Sequence, residues 1–251
     1  MNLSPIVSRF LLVALMGSVL YACEVKVNTS GETANKVANT PENTPKEASS
    51  PKSETSSTKE GSGNAEAYYN RGVDKGRSGD KQGAIADFNE AIRLKPDYAA
   101  AYSSRATVKS LSEDNQGAVA DFSEAIRIQP DNAIPYYNRG ITKNKLKDWD
   151  GAIADFNEAI RLKSDSAGIY VGRGEAKYRS ADYKGAIADF SEAIRLDPEN
   201  AYAYNARGSS KLTSKDIEGA KADFQKAAAL YKQQGNEEFY GYTMQEIEKL
   251  P

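Results

Sequence analysis

The stretch GAIADFNEAIRLKPD, residues 83–97, occurs almost unchanged several times along the chain. It returns as GAVADFSEAIRIQPD from Gly117, as GAIADFNEAIRLKSD from Gly151, as GAIADFSEAIRLDPE from Gly185 and, less faithfully, as GAKADFQKAAALYKQ from Gly219. Each copy begins 34 residues after the one before it. A fixed period of this length over five copies predicts an array of stacked repeats, each in contact mainly with its neighbours.

Each 34-residue unit divides into two predicted helices. The second helix follows an aspartate suited to cap its N-terminus by accepting an orphan backbone N–H. These aspartates are Asp80, Asp114, Asp148, Asp182 and Asp216. Ala84, Phe88 and Ala91 then recur at the spacing of one apolar helix face. In three of the units a proline, Pro96 in the first, ends this helix.

The first helix of a unit has its own pattern. In the first unit it begins at Asn64 and places Tyr68 and Gly72 four residues apart. A small residue at the second of these positions lets two helices approach closely. Neither helix has enough apolar surface to stand alone, so the units are predicted to stack and bury a continuous apolar stripe.

These units resemble tetratricopeptide repeats (TPRs). With Ala65 as repeat position 1, the family's aromatic residue at position 4, small residue at 8, alanine at 20, aromatic at 24 and alanine at 27 recur in all five units. In the first unit they are Tyr68, Gly72, Ala84, Phe88 and Ala91. The resemblance covers residues 65 to about 234. It implies an all-α, right-handed α-solenoid of five helix–turn–helix repeats over 64–234.

The tail predicts one more helix. A turn at Gly235 and Asn236 precedes Tyr240, Met244 and Ile247, which have the spacing of one apolar helix face. Repeat arrays need a terminal element that covers the last apolar face. Residues 235–251 are therefore predicted to form a C-terminal capping helix.

Charged residues also recur in register, and here the chain departs from the TPR pattern. Arginine stands at position 7 and lysine at position 11 of every repeat, while the second helix carries an aspartate beside its apolar stripe. An arginine can bind a carboxylate through two parallel hydrogen bonds while its stem covers apolar surface. We predict a ladder of Arg–Asp pairs that begins with Arg71 and Asp87. Because the residues recur five times, we expect this row to be structural and not catalytic.

The N-terminus has the features of a secretory signal peptide. Arg9 precedes an apolar run from Phe10 to Leu20, which is shorter than the roughly 20 residues of a spanning helix. The segment from Leu20 to Cys23 resembles the lipobox of bacterial lipoproteins, in which the cysteine is acylated and becomes the first residue of the mature protein. Tyr21 is bulkier than the usual occupant of its position. The alternative is an ordinary signal peptide that leaves Cys23, the only cysteine, as a free thiol.

The signal peptide is thus predicted at residues 1–22, and 23–63 differ sharply from it in composition. After Cys23 this segment is rich in Ser, Thr, Pro, Lys and Glu, and it contains no aromatic residue. Such a segment cannot bury enough apolar surface to offset its ordering entropy. We therefore expect a lipidated cysteine followed by a disordered tether, on a protein held at the bacterial membrane and facing the periplasm or the exterior.

Composition argues against several classes of function. Lys and Arg total 33 against 35 for Asp and Glu, which gives no basic footprint for nucleic acid. There is no histidine, the usual general base and metal ligand. No Gly-rich phosphate loop and no unrepeated carboxylate pair is present. We expect no enzyme activity, no metal and no cofactor.

The TPR resemblance also implies where a partner would bind. TPR arrays present a concave groove lined by first-helix positions 2, 5, 6, 9, 12 and 13. Transferred to this chain, these positions give the candidate groove residues Tyr69, Asn70, Val73, Arg77, Tyr137, Asn138, Ile141, Lys145, Glu175, Tyr178, Arg179, Tyr202 and Asn205, with Thr107, Leu111, Ile134, Val171 and Leu212 at further groove positions. The set of Lys, Asn and Arg with which some TPR proteins clamp a C-terminal carboxylate is not in register, because position 5 holds Tyr69, Ser103 and Tyr137 and not Lys.

Two classes of function follow. The first is a lipid-anchored scaffold that binds a peptide or a helix of an envelope protein in the groove. Tyr, Asn and Arg suit this role because they combine rigid contact area with hydrogen bonding. The second is a protein that binds an envelope glycan or a small ligand, since Tyr and Asn also serve such ligands.

Overall fold

The structure, a computed structural model, describes the backbone of residues 57–251 and the side chains from residue 63 onward. The predicted signal peptide, Cys23 and most of the predicted tether lie outside the described residues. Within 57–251 the chain forms eleven α-helices and no β-strand. They are α1 (Ser57–Arg77), α2 (Lys81–Leu94), α3 (Ala99–Leu111), α4 (Asn115–Ile128), α5 (Ala133–Lys145), α6 (Trp149–Leu162), α7 (Ala167–Arg179), α8 (Tyr183–Leu196), α9 (Ala201–Thr213), α10 (Ile217–Gln233) and α11 (Glu237–Glu248).

The helices alternate between the two predicted types. Each odd-numbered helix from α3 to α9 is the first of its repeat and packs against both its own second helix and the second helix of the preceding repeat. This arrangement confirms the prediction of an all-α solenoid of helix pairs. Helix α1 begins at Ser57, seven residues before the predicted start at Asn64. The extension is consistent with helix propagation, because a formed helix gains one hydrogen bond for each residue that it adds.

One phenylalanine in each repeat forms the centre of the core. Phe88, Phe122, Phe156, Phe190 and Phe224 are each at most 1% exposed. The small residue at position 8 lies directly against this ring, as predicted from the sequence. A methyl group added at Gly140 would lie 3.0 Å from the Phe156 ring, and one added at Gly172 of the next repeat would lie 2.6 Å from it. Glycine at these positions therefore lets three helices meet around one aromatic ring.

The predicted aspartate caps are present at all five second helices. The carboxylate of Asp148, for example, accepts a hydrogen bond from the backbone N–H of Gly151 at 3.0 Å. The carboxylate lies so close that a Cβ on Gly151 would be 2.2 Å from Asp148 Oδ2. The same cap recurs at Asp80, Asp114, Asp182 and Asp216. The quoted repeat begins with glycine because the capping carboxylate occupies the space of a side chain.

The predicted Arg–Asp ladder is confirmed in every repeat. In the third, Arg139 donates from Nε to Asp155 Oδ2 at 2.9 Å and from Nη2 to Oδ1 at 2.6 Å. Lys143 adds a contact to Oδ2 at 2.9 Å, and Arg139 lies 5.8 Å above the Tyr136 ring. A third donor, Nη1, reaches Ser123 Oγ of the preceding repeat at 2.8 Å. One guanidinium thus ties together two helices of its own repeat and the repeat before it.

The ladder aspartates are buried, and both oxygens of each carboxylate contact the arginine and lysine side chains of the first helix. In the first repeat, the hydrogen bonds from Arg71 outweigh the cost of burial and, with help from Lys75, lower the pKa of Asp87 to about 2. The equivalent residues pair in the same way: Arg105 with Asp121, Arg173 with Asp189 and Arg207 with Asp223. The Arg, Lys and Asp side chains that recur in register therefore pair with one another and hold the helices of the array together.

The predicted C-terminal capping helix is also present. Helix α11 packs on α10, where the rings of Phe239 and Tyr231 stack with centroids 5.3 Å apart. Tyr240 joins the same apolar cluster. The cap covers the apolar face that a sixth repeat would otherwise occupy. None of the helices in the described part of the chain combines the length and the apolar character needed to cross a membrane.

Candidate partner-binding face

The first helices of successive repeats contact one another directly: α3 contacts α5, α5 contacts α7, and α7 contacts α9. We call the surface formed by α1, α3, α5, α7 and α9 the first-helix face. All the candidate groove residues lie on these helices. Their exposure and bonding differ from repeat to repeat, unlike those of the core and the ladder.

The first repeat presents both exposed and partly packed candidate residues. Asn70 and Arg77 are exposed. Tyr69 is half-buried, with its ring centroid 5.9 Å from that of Phe88 and 5.1 Å from that of Tyr98. Val73 belongs to the same cluster. Tyr69 and Val73 therefore contribute to packing as well as to the surface.

The third repeat is more deeply packed. Ile141 is buried at 6% exposure, Asn138 is half-buried, and the Tyr137 ring lies 6.1 Å from that of Phe156. Lys145 donates from Nζ to Ser110 Oγ of the preceding repeat at 3.0 Å. Burial lowers the pKa of Lys145, against the opposing effect of Glu113.

A buried carboxyl group joins the fourth and fifth repeats. Glu175 is 8% exposed and accepts a hydrogen bond from the hydroxyl of Tyr202. Burial raises the pKa of Glu175 to about 7, although the bond from Tyr202 and the charge of Arg179 both act to lower it. Burial, reinforced by Glu175, also raises the pKa of Tyr202 well above its ordinary value.

Two further candidates of the fourth repeat lie beside this group. Tyr178 is half-buried, meets the Tyr183 ring edge-on at 5.4 Å, and lies 3.5 Å from Thr213 Oγ1 through its hydroxyl. Arg179 is half-buried, and its Nε is buried without a hydrogen-bond partner among the described residues. The structure thus brings Glu175, Tyr178, Arg179 and Tyr202 to neighbouring first helices.

Asn205 contributes to the end of the array. It is 7% exposed, and its side-chain amide donates to Thr243 Oγ1 of the capping helix at 3.1 Å. Its place on the first-helix face is thus covered by α11. Like Ile141, it stabilises the stacking of helices in this structure.

One residue that the list of candidates omitted has the most unusual environment. Asn144 stands at repeat position 12 of the third repeat and is 6% exposed. Its Nδ2 donates to the backbone carbonyl of Gly172 at 3.2 Å, and its Oδ1 is buried with no partner among the residues described. Position 12 was among the groove positions, but nothing in the sequence separates a buried asparagine from an exposed one. Ser103 Oγ is similarly buried, and Leu111 and Ile134 are large apolar residues exposed by more than 40%.

The first-helix face can therefore offer aromatic rings, hydrogen-bond donors and acceptors, and three cations at position 13, namely Arg77, Lys145 and Arg179. Side chains of these kinds are common at protein-binding surfaces. The residues that the structure describes contain no group of three or more side chains able to hold a metal ion.

Comparison with protein families identifies the fold. Models of the tetratricopeptide repeat match residues 65–98, 112–167 and 201–236, and a model described as TPR repeat matches 182–212. Together these matches cover more than half of the chain. The protein belongs to the tetratricopeptide repeat family. No curated protein matches the sequence.

Solved structures share the fold at low sequence identity. MamA residues 41 to the end from Desulfovibrio magneticus RS-1 is 21% identical with a TM-score of 0.65, over 68% of this chain and 97% of MamA. YrrB, described as a TPR protein with an unusual peptide-binding site, is 21% identical with a TM-score of 0.63, over 76% of this chain and 98% of YrrB. PilW, described as a type IV pilus biogenesis factor, is 17% identical with a TM-score of 0.60, over 73% of this chain and 92% of PilW.

Proposed function

We propose that this protein is a lipid-anchored, non-enzymatic TPR scaffold of the bacterial cell envelope that binds a peptide or a helix of a partner protein on its first-helix face. The TPR fold is typical of proteins that mediate protein–protein interaction.

The observation that carries the proposal is the irregularity of the first-helix face. The caps, the aromatic core and the Arg–Asp ladder repeat in all five units, so they encode stacking. The first-helix face instead varies between units, and its polar and aromatic groups include exposed Asn70 and Arg77 beside half-buried Asn138 and Tyr178. The stacking contacts are the same in every unit, whereas the residues of the first-helix face change from unit to unit. Selectivity for a partner can therefore be encoded in the residues of this face.

Two comparisons support the class of partner. YrrB carries a peptide-binding site in its description, and PilW is described as a pilus biogenesis factor. Their identity to this chain is low, so they support the fold and make a protein partner a reasonable first hypothesis. They carry no residue assignment.

The binding face is tested by a matched pair of variants of the full chain. The first variant changes Asn70, Arg77, Asn138 and Tyr178 to Ala, and leaves Tyr69 and Tyr137 intact because their rings pack against the core. The control changes four exposed second-helix arginines, Arg93, Arg127, Arg161 and Arg195, to Ala. Cross-linked capture from envelope extract should retain a partner with the control and lose it with the first variant. Equal capture by both would place the interaction elsewhere.

The anchor is tested at Cys23. Acyl chains contribute about 0.8 kcal/mol per buried CH₂, so two or three chains hold a protein firmly on a bilayer. The wild-type chain should fractionate with membranes and carry a lipid mass on its N-terminal peptide, whereas Cys23→Ala should lose both. A wild-type N-terminal peptide with an unmodified thiol would support an ordinary signal peptide instead.

Binding of an envelope glycan is the second candidate, because tyrosine and asparagine side chains on the same face can also stack on and bond to sugars. A ligand that binds only the native state raises its melting temperature. Stabilisation by peptidoglycan fragments, lost in the four-residue face variant, would favour this alternative over a protein partner.

A further inference from the structure

Residues 35 positions apart meet across the first-helix face. Lys145 Nζ donates to Ser110 Oγ at 3.0 Å, and the Tyr178 hydroxyl lies 3.5 Å from Thr213 Oγ1. Both contacts join position 12 of one repeat to position 13 of the next. Because the repeats stack in the same way, the equivalent place between the third and fourth repeats is occupied by Asn144 and Arg179, which are also 35 residues apart.

This junction differs from the two that flank it, because its polar atoms do not pair. Asn144 Oδ1 and Arg179 Nε are both buried and have no hydrogen-bond partner among the described residues. Rotating the amide of Asn144 would not remove the mismatch, because its Nδ2 is already held by the Gly172 carbonyl at 3.2 Å. A buried polar atom left unpaired costs about 1–3 kcal/mol, so such atoms call for an explanation. The junction therefore offers one acceptor and one donor to a third group.

The surrounding charges limit the chemistry of that group. Glu175 lies one turn before Arg179 on α7 and is buried, with a hydrogen bond from Tyr202. An anionic ligand would face two acceptors, the Glu175 carboxyl and Asn144 Oδ1, and a cationic ligand would face Arg179. A neutral group with a donor beside an acceptor satisfies both unpaired atoms, and the amide is the group of this kind that every peptide carries.

We propose that the junction of Asn144 and Arg179 is a subsite for an amide of the bound peptide, in which Arg179 Nε donates to the amide oxygen and Asn144 Oδ1 accepts from the amide N–H. The subsite rests on the proposed function and names the group that the first-helix face recognises at this point. Arg179 and Tyr178 are half-buried, so the junction lies at the margin of the surface. For a peptide amide to reach the two buried atoms, these side chains would have to move aside. The amide can come from the main chain of the peptide or from an Asn or Gln side chain.

The test uses peptides selected on the full chain from a phage-displayed library of random 12-residue sequences. Affinities of the selected peptides are then measured for Asn144→Ala and Arg179→Lys, which keeps the positive charge but removes Nε. The matched controls are Gln116→Ala and Arg161→Lys, at exposed positions on second helices, away from the first-helix face. We expect about a tenfold loss of affinity for each test variant, as for one unpaired buried polar group, and less than a twofold change for each control. If Asn144→Ala fails to fold, Arg179→Lys still decides the question.

The source of the amide is found by changing the peptide. N-methylation of one peptide bond should reproduce the loss if the main chain is bound, and replacement of an Asn or Gln by Leu should reproduce it if a side chain is bound. In either case the loss should not add to that of Asn144→Ala, because both changes to the peptide remove the amide N–H from which Asn144 Oδ1 accepts. A loss that follows an Asp or Glu of the peptide would overturn the proposal, as would a crystal structure of the free chain with Asn144 bonded directly to Arg179.

The failure of the subsite is distinguishable from the failure of the proposed function. Peptides that require the first-helix face but bind Asn144→Ala and Arg179→Lys normally would overturn the amide subsite alone. Peptides that bind the four-residue face variant as tightly as the wild type, or the absence of any selected peptide, would overturn both.

Discussion

The second-helix side and the first-helix face of each repeat differ in how regularly their side-chain contacts recur along the array. On the second-helix side the same bonds return in successive units, as in the Arg–Glu pairs that follow one another from Arg93 with Glu90 to Arg195 with Glu192. On the first-helix face the junctions differ from one another: Lys145 bonds to Ser110, Tyr178 approaches Thr213, and Asn144 Oδ1 and Arg179 Nε have no hydrogen-bond partner among the described residues. If the first-helix face binds the partner, as proposed, the difference means that most residues that stack repeats are distinct from those that select a partner.

The largest effect should come from the repeated core. Phe156 is fully buried and contacts the first helices of two repeats through Gly140 and Gly172. Phe156→Ala removes this ring from a site whose neighbours cannot easily collapse, and should lower the free energy of unfolding by about 3–5 kcal/mol. Urea denaturation followed by circular dichroism measures the change. Ile134→Ala, at a residue 43% exposed on the first-helix face, is the control and should change stability by less than about 0.5 kcal/mol.

The ladder should show the next largest effect. Asp155→Ala leaves the largely buried cations Arg139 and Lys143 without their carboxylate and should cost about 3 kcal/mol. Replacing Arg139 and Asp155 together by Leu should cost less than the sum of the single changes, because Lys143 is then the only cation of the cluster left without its carboxylate. Additive costs in this double-mutant cycle would show that the pair contributes no coupling.

A buried acid on the first-helix face predicts a pH effect of opposite direction to that of the ladder. The pKa of Glu175 is raised to about 7 in the folded state from 4.5, so the folded state binds its proton more tightly than the unfolded state. Stability from this group is therefore fully present below about pH 4.5 and is lost as the pH rises to about 7, by roughly 2–3 kcal/mol. Asp87, whose pKa is lowered, contributes stability that is lost as the pH falls below 3.8 towards 2.

Glu175→Gln isolates this effect. Glutamine keeps the acceptor for Tyr202 and removes the ionisation, so the variant should lose the fall in stability between pH 4.5 and 7. Melting curves across this pH range, compared with those of the wild type, make the measurement. An unchanged slope in the variant would assign the pH dependence to other groups.

The repeated features could be predicted from the sequence because each rests on local geometry. A capping aspartate, a small residue opposite an aromatic ring, and an Arg with its Asp 16 residues later are fixed by the 34-residue period, and the structure contains all three. Position within a repeat also placed the candidate residues on the first helices. It could not predict which of them are buried, because burial there depends on the neighbouring repeat, as the coverage of Asn205 by Thr243 of α11 and the unpaired Oδ1 of Asn144 show.

A capping residue should have a smaller effect than the core or the ladder. Asp148→Ala removes the carboxylate that accepts from the Gly151 N–H and should cost about 1 kcal/mol. Asp150→Ala is the control, since Asp150 lies in the same first helical turn but does not cap it. Equal losses in the two variants would mean that the charge near the helix N-terminus matters and the cap does not.

The smallest effect on stability should come from exposed polar residues of the first-helix face. Asn70 and Arg77 are exposed and make no contact that the core or the ladder requires, so Asn70→Ala and Arg77→Ala should each change the free energy of unfolding by less than about 0.5 kcal/mol. The same two variants should weaken binding of the captured partner. For core residues of the second helix, such as Phe156, the main effect should instead be a loss of stability of about 3–5 kcal/mol. If instead Asn70→Ala and Arg77→Ala destabilise the array, or leave binding unchanged, the division of the repeat into a stacking side and a selecting side does not hold in the first unit.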